Sequence, residues 1–365
     1  LNARKSMSGT ERITYADYLR VHQLINLQDG GEEGAREISL DEHHFIIVHQ
    51  VYELWFNRVI RELIDARDIL AKPKVPEEAI PKMVASLARV TEIFRLMNQQ
   101  WKVMTTLTPQ GFLAFRDHLG TSSGFESFQM RELEIIIGLG ISGRPGGMDP
   151  LAHFAKLAKE EEHGKIVYER LLKLSSQPSL KEVLGDWLAR TPIHGSSAGD
   201  DGDEEVVNSY VSAHLDCMRS ANSAAIERFA AVGQDSEAVR NRFAMSIKSA
   251  EEFLMPEGNV NRARAGLLFI ESYRELPLLS WPRTLVDSVI ALEEAILLFR
   301  TSHARMVERM IGRRVGSGGS SGVDYLDATT KMRVFTDLWA VRTMLVKRSI
   351  LPEVESFEFY GFSKN

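Results

Sequence analysis

The chain has 365 residues, 44% hydrophobic and 26% charged, with a formal net charge of −6. That is ordinary globular material, long enough for one large domain or two modest ones. The acidic balance argues against nucleic-acid binding, apolar runs such as ALEEAILLF (291–299) are too short for a membrane span, and the single cysteine, Cys217, excludes an internal disulfide or a multi-cysteine metal site and suits a cytoplasmic protein.

The opening LNARKSMSGTER has no apolar core and does not read as a secretory signal, with Met7 a candidate natural start. From there, apolar residues recur at three- and four-residue spacing over 14–27, 38–70, 76–104, 126–139, 150–174, 180–189, 204–231, 234–254 and 260–279. Two further helices are expected from Pro282 to Ile311 and from Val323 to Lys347. No run alternates strictly enough to be a strand, so the expected fold is an all-α, multi-helix bundle. The clearest loop is IHGSSAGDDGDEE, 193–205. Residues 176–265 are more polar than their flanks and read as a helical insertion, dividing a main body into 1–175 and 266–365.

Four stretches carry candidate chemistry. In DEHHFIIVHQVYELWF, Phe45, His49, Tyr52 and Phe56 share one helical face. A lone histidine on such a face is more often a packed core residue than a working one. His43 and His44, near the start of the helix, read as surface or packing residues. In LTPQGFLAFRDHLGTSSGFESFQMRELE, Phe112 and Arg116 stand one turn apart, placing a ring and a carboxylate-matching guanidinium toward one space. An ordinary surface Arg–Asp pair would look the same.

In the helix before Gly312, the residues Leu292, Ile296, Phe299, His303, Met306 and Met310 form one stripe. His303 is then a structural histidine or an axial ligand to a non-covalent haem, and spacing alone does not choose. Finally, GRRVGSGGSSG (312–322) packs five glycines into eleven positions. It lacks the Gly-Lys-Ser/Thr ending of a phosphate loop and follows no strand. A flexible linker, or a loop whose N–H groups and hydroxyls close over a small ligand, both fit.

Taken together these stretches resemble the haem-dependent tryptophan 2,3-dioxygenases. The resemblance runs from TYADYLRVHQLINLQ through FIIVHQVYELWF, the 107–134 block and WLARTP to HARMVERMIGRRVGSGGSSGVDYL, nearly the whole chain in order. It implies that His303 is the proximal ligand of a haem b iron, and that Gly124 lies against the same cofactor. It implies that His49 hydrogen-bonds the indole N–H of the substrate, that Phe45 packs on the indole, and that Arg116 pairs with the amino-acid carboxylate in a pocket walled by Phe112. Ser317, where the family usually has threonine, belongs to the loop that closes over the ammonium and carboxylate. Tyr15, Tyr18 and Leu19 match a segment that reaches a neighbouring subunit, so a cytoplasmic homotetramer is expected. The expected reaction is insertion of both atoms of O2 into L-tryptophan to give N-formylkynurenine, as in tryptophan catabolism by the kynurenine pathway.

Three departures from the family pattern stand out: Ser317, Glu126 where glutamine is expected, and Phe299 where tryptophan is frequent. They leave open an alternative, a related haem indole oxygenase that inserts one oxygen into a substituted, for example methylated, tryptophan in a biosynthetic pathway. A haem sensor or carrier would need His303 without Arg116 and the hydroxyl-rich loop. A helical scaffold would need neither histidine, and a nucleotide-binding protein is disfavoured by the missing lysine.

Overall fold

A computed structural model describes residues 13–30, 36–120, 122–147, 149–316 and 322–361. Within them the chain is helical, with no strand beyond an isolated bridge between Ile193 and Ser196. The expected all-α class is what is observed.

The helices run in the order α1 (Tyr15–Leu19), α2 (Val21–Leu24), α3 (Leu40–Leu70), α4 (Ala79–Met104), α5 (Pro109–Phe115), α6 (Phe128–Ile137), α7 (Ala152–Glu160) and α8 (Glu162–Ser175). They continue as α9 (Leu180–Leu188), α10 (Asp203–Ala231), α11 (Glu237–Leu254), α12 (Arg262–Ser272), α13 (Ser280–Ile311), α14 (Val323–Thr329) and α15 (Thr336–Ala340). Long helices α3, α4 and α13 pack side by side, with α6 laid against α3. Each buries an aliphatic stripe, including Val59 and Leu63 on α3, Val90 and Phe94 on α4, and Val289 and Leu292 on α13.

Local sequence starts and stops these helices where the site needs them. The Ser39 side chain accepts from the Glu42 N–H, with Asp41 and Glu42 in the first turn of α3. Thr108 caps α5 with Pro109 at its first position, and Ser127 caps α6. Gly138 ends α6 at φ 98°, and a Cβ there would lie 2.7 Å from the Ser179 hydroxyl, so glycine serves both the left-handed turn and the close approach of α9.

Four expected helices are interrupted. The 14–27 stretch breaks at Arg20, which takes φ 54°. The 150–174 stretch breaks at the extended Glu161, where α7 folds back on α8 so closely that a Cβ on Gly164 would sit 2.6 Å from the Leu157 carbonyl. The 260–279 stretch ends at Ser272, and Pro277 opens a short 3-10 turn instead of continuing the helix. In the 323–347 stretch, the buried Glu293 carboxylate accepts from the backbone N–H groups of Val334 (2.5 Å) and Phe335 (3.0 Å) and from the Trp339 indole N–H. Those N–H groups are thereby taken from a helical ladder.

The 176–265 segment is not uniform. α9 buries Leu180, Val183, Leu184 and Leu188 against α3 and α12, and the first half of α10 buries Val207, Tyr210, Val211, His214, Leu215 and Met218. Beyond Met218, the remainder of α10 and most of α11 form a hairpin that buries little.

Candidate active site

A cavity of about 290 Å³ opens among α3, α4, α5, α6, α13 and α14. Phe45, His49, Tyr52 and Phe56 enter it from α3, and Phe299, His303, Met306 and Met310 from α13, so the two helical stripes expected from spacing meet across one space. Trp101 and Met104 of α4 complete the apolar lining.

On the α3 side the ring of Phe45 lies 4.0 Å, centroid to centroid, from His49 and 5.8 Å from Phe112. His49 Nδ1 lies 2.8 Å from the Phe45 carbonyl oxygen, one turn earlier. A carbonyl only accepts, so Nδ1 carries the proton and Nε2 keeps its lone pair. Burial pulls the His49 pKa below its ordinary value, against the opposing pull of the Phe45 carbonyl and the Glu53 carboxylate. The imidazole is therefore neutral at pH 7. Glu53 is itself held by the side-chain N–H of Gln129, at 2.7 Å.

On the α13 side His303 lies parallel to the Trp101 indole, with centroids 4.7 Å apart and planes at 12°. Burial pushes its pKa down to about 4, with the nearby His49 adding to the shift, so it too is a neutral imidazole with a free lone pair. Neither nitrogen of His303 makes a hydrogen bond among the described residues, and the buried Trp101 N–H has no partner either. A half-buried imidazole with an uncommitted lone pair, facing an apolar, Met-lined slot, has the donor chemistry of a haem axial ligand. Among the described residues no three His, Cys, Asp or Glu side chains gather into a protein-only metal site.

At the mouth, Arg116 and Phe112 line the cavity together, and Arg116 Nη2 donates to the Val315 carbonyl at 2.6 Å, tying α5 to the stem of the glycine-rich loop. Gly124 also lines the cavity, and a Cβ there would meet nothing within 4 Å, so the space beside it is open. Phe125 and Tyr325 close one side, with ring centroids 4.7 Å apart.

The structure thus gathers Phe45, His49, Phe112, Arg116, Gly124 and His303 around one cavity. Tyr15, Tyr18 and Leu19 lie outside it in this chain; Tyr15 and Tyr18 are 78% and 77% exposed, and α1 buries nothing. Ser317 lies outside the described residues. Glu126 stands near the mouth but faces His153 at 3.8 Å and does not line the cavity. Phe299 is buried in an aromatic cluster with Tyr52, Phe56, Phe94 and Trp101. Of the α3 histidines read as surface or packing groups, His43 is exposed and His44 touches the Val103 carbonyl at 3.2 Å.

Several lining residues escaped the motif reading: Trp101, Arg131, Glu134, Arg300 and Tyr325. A usable signal existed for two of them. Glu134 and Arg300 are charged residues within stretches otherwise rich in apolar side chains, where a charge needs a partner or a purpose.

Comparison with known proteins agrees along almost the full length. The family described as tryptophan 2,3-dioxygenase matches residues 2–345. The chain is 39% identical to a tryptophan 2,3-dioxygenase of Sorangium cellulosum over 99% of this chain and 90% of that one. It is also 39% identical to a tryptophan 2,3-dioxygenase 2 of Ralstonia nicotianae, over 96% and 98%. A tryptophan 2,3-dioxygenase-like protein of Xanthomonas campestris is 40% identical over 70% of this chain and 98% of its own.

Proposed function

The chain belongs to the tryptophan 2,3-dioxygenase family, a family of haem oxidoreductases, and we propose that its cavity takes haem b and L-tryptophan and opens the indole C2–C3 bond with O2 to give N-formylkynurenine. The observation that carries this reading is the pair of neutral imidazoles, His303 and His49, presented to one apolar cavity with Arg116 at its mouth.

His303 holds the iron in this reading, with Trp101 and Phe299 fixing the plane of its ring. The haem, when bound, supplies the dioxygen chemistry that side chains lack. The protein's part is orientation. Phe45 and Phe112 offer the indole an aromatic wall, and His49 Nε2 accepts the indole N–H because the Phe45 carbonyl already holds the proton on Nδ1. The N–H proton stays on the indole, shared with a neutral imidazole that is a weak base in this setting. Arg116 takes the amino-acid carboxylate with the N–H groups left after its bond to Val315. Two anchors at opposite ends of one small molecule remove most of its orientational freedom before reaction. The methionine and aromatic lining excludes water, which strengthens both polar contacts.

Ser317 follows Val315 and Gly316 in sequence and is assigned to substrate closure by the same reading. Tyr15, Tyr18 and Leu19 project from α1, a short helix with no buried residue; we assign them to contact with another copy in a homotetramer. Among the described residues no helix is long and apolar enough to cross a membrane.

The reading is tested by loading the protein with haem, reducing it, and adding L-tryptophan and 18O2. N-formylkynurenine carrying two labelled oxygens is expected. Bound haem with no such product, and a one-oxygen product from a ring- or side-chain-methylated tryptophan, would overturn the substrate and reaction assignment.

A further inference from the structure

Besides Glu134, a second carboxylate faces the cavity. Glu53 lines it from α3, one turn after His49. Residues four apart on a helix are neighbours, with Cβ atoms roughly 5–6 Å apart, and both of these side chains face the same space. Gln129 of α6, itself buried, donates through Nε2 to the Glu53 backbone carbonyl at 2.8 Å and to Oε2 at 2.7 Å. That double tie fixes where the carboxylate stands. Oε1 makes no hydrogen bond among the described residues, and no arginine or lysine among them pairs with Glu53.

The choice of partner has a consequence. An arginine or lysine would cancel the charge, whereas a neutral amide holds a carboxylate in place and leaves its charge whole. The chain treats its buried carboxylates in the opposite way: Glu134, on the same helix as Gln129, meets three guanidiniums, and Glu62 meets Arg58 and Arg89. The other ionisable groups around the cavity are committed elsewhere. Arg116 is turned to the Val315 carbonyl, and Arg131 and Arg300 are turned to Glu134. Tyr52 donates to the Met97 carbonyl, with burial pushing its pKa up, and His303 is neutral at pH 7. Tyr325 packs against Phe125. What remains to act on His49 is an anion one turn away along its own helix.

We infer that Glu53, pinned by Gln129, is a positioning residue that acts through His49, its charge keeping Nε2 a strong acceptor for the indole N–H. The inference rests on the tryptophan reading above. Burial makes the His49 ring a poorer base, and a poorer base holds a weak acid such as an indole N–H less firmly. The Glu53 carboxylate draws the imidazole back towards its ordinary basicity. It does so without taking the Nδ1 proton, which the Phe45 carbonyl holds.

The test compares Glu53→Gln, which removes the charge and keeps the shape, with Glu53→Asp, which keeps the charge. Haem-loaded protein is followed in two ways against pH. One is kcat and KM for L-tryptophan; the other is the infrared C–O stretch of the reduced carbon monoxide complex, which reports the proton on a histidine facing that ligand. An anion stabilises an imidazolium, so removing it lowers the pH at which His49 takes its second proton. Glu53→Gln should therefore move the acid limb of kcat and the midpoint of the C–O shift about one pH unit lower. Glu53→Asp should leave both near wild type. Midpoints that stay put in Glu53→Gln would overturn the inference. So would an equal displacement in Glu53→Asp, which would make the effect one of packing and not of charge. A KM raised at every pH with unmoved midpoints would give Glu53 to the ammonium of the substrate instead. If Glu53→Gln does not fold, Gln129→Lys sets an ammonium against the same carboxylate and should lower both midpoints in its place; unmoved midpoints there count against the inference equally. Wild type that binds haem but does not turn over tryptophan removes the substrate reading alone, because the C–O titration, and its loss in His49→Ala, still decides the link between Glu53 and His49.

Discussion

The imidazole of His303 lies flat against the indole of Trp101, 4.7 Å away and within 12° of parallel. That contact fixes the ring plane of a histidine whose nitrogens make no hydrogen bonds among the described residues. Replacing His303 by alanine removes the uncommitted lone pair and leaves the apolar walls in place. The His303→Ala protein is expected to fold but to retain no stable haem. A Soret band of normal position and intensity in that variant would show that another group holds the iron.

His49 makes a different prediction, because its role is orientation. His49→Ala should keep haem affinity and lose turnover by about ten- to a hundredfold, the worth of one or two well-placed polar contacts. The pH dependence has a definite sign. Burial depresses the His49 pKa, so the imidazole is neutral above its ordinary value of 6.5 and takes a proton only as the pH falls below it. With a proton on both nitrogens it no longer accepts from an indole N–H. Wild-type turnover should therefore hold through neutral pH and fall on the acid side of 6.5, with that acid limb absent in His49→Ala. An acid limb of the same midpoint in the variant would assign the titration to another group.

Glu134 links the site to stability. Burial alone would raise its pKa, but the guanidiniums of Arg131, Arg300 and Arg144 together hold it below the ordinary 4.5. A carboxyl with a depressed folded-state pKa stabilises the fold above its unfolded value, and that contribution is lost as the pH falls through the folded one. Glu134→Gln leaves three cations, two of them buried, without their counter-charge and should cost about 3–5 kcal/mol at pH 7 in urea unfolding of the haem-free protein. The gap between wild type and variant should narrow as the pH drops below 4.5. A gap independent of pH would mean that Glu134 acts through packing and not through its charge.

How much of this was legible beforehand differs between the stripes and the polar wall. Phe45, His49, Phe299 and His303 were readable because a single helical period places them on one face, and helix–helix packing then carries that face to the core. Arg116 was readable beside Phe112 for the same reason. The breaks in the helices were not. Glu161 and the 330–335 stretch depart from helix because of long-range contacts: α7 closing on α8, and Glu293 taking backbone N–H groups some forty residues away. The wall of Arg131, Glu134, Arg144 and Arg300 could not be assembled from sequence for a related reason, although the charges of Glu134 and Arg300 in apolar stretches were a signal. Its members come from α6, the segment after it and α13, and Arg300 and Glu134 are 166 positions apart in sequence. Local spacing pairs only Arg131 with Glu134, three apart on α6, and brings neither Arg144 nor Arg300 to them.

Arg116 gives the sharpest separation between substrate and cofactor. It donates to the Val315 carbonyl through Nη2, leaving the rest of its fork for a carboxylate, while Arg131 and Arg300 occupy another wall. Lysine at 116 would keep the charge but lose the planar fork, so it cannot hold Val315 and pair bidentately with a carboxylate at once. Arg116→Lys should raise KM for tryptophan about tenfold or more, with haem titration unchanged. The variant also loosens the tie between α5 and the loop stem, which predicts faster proteolytic cleavage near 313–316 without ligand and a smaller protective effect of tryptophan than in wild type. If Arg116→Lys instead weakened haem binding and left KM alone, Arg116 would belong to the cofactor and not to the substrate.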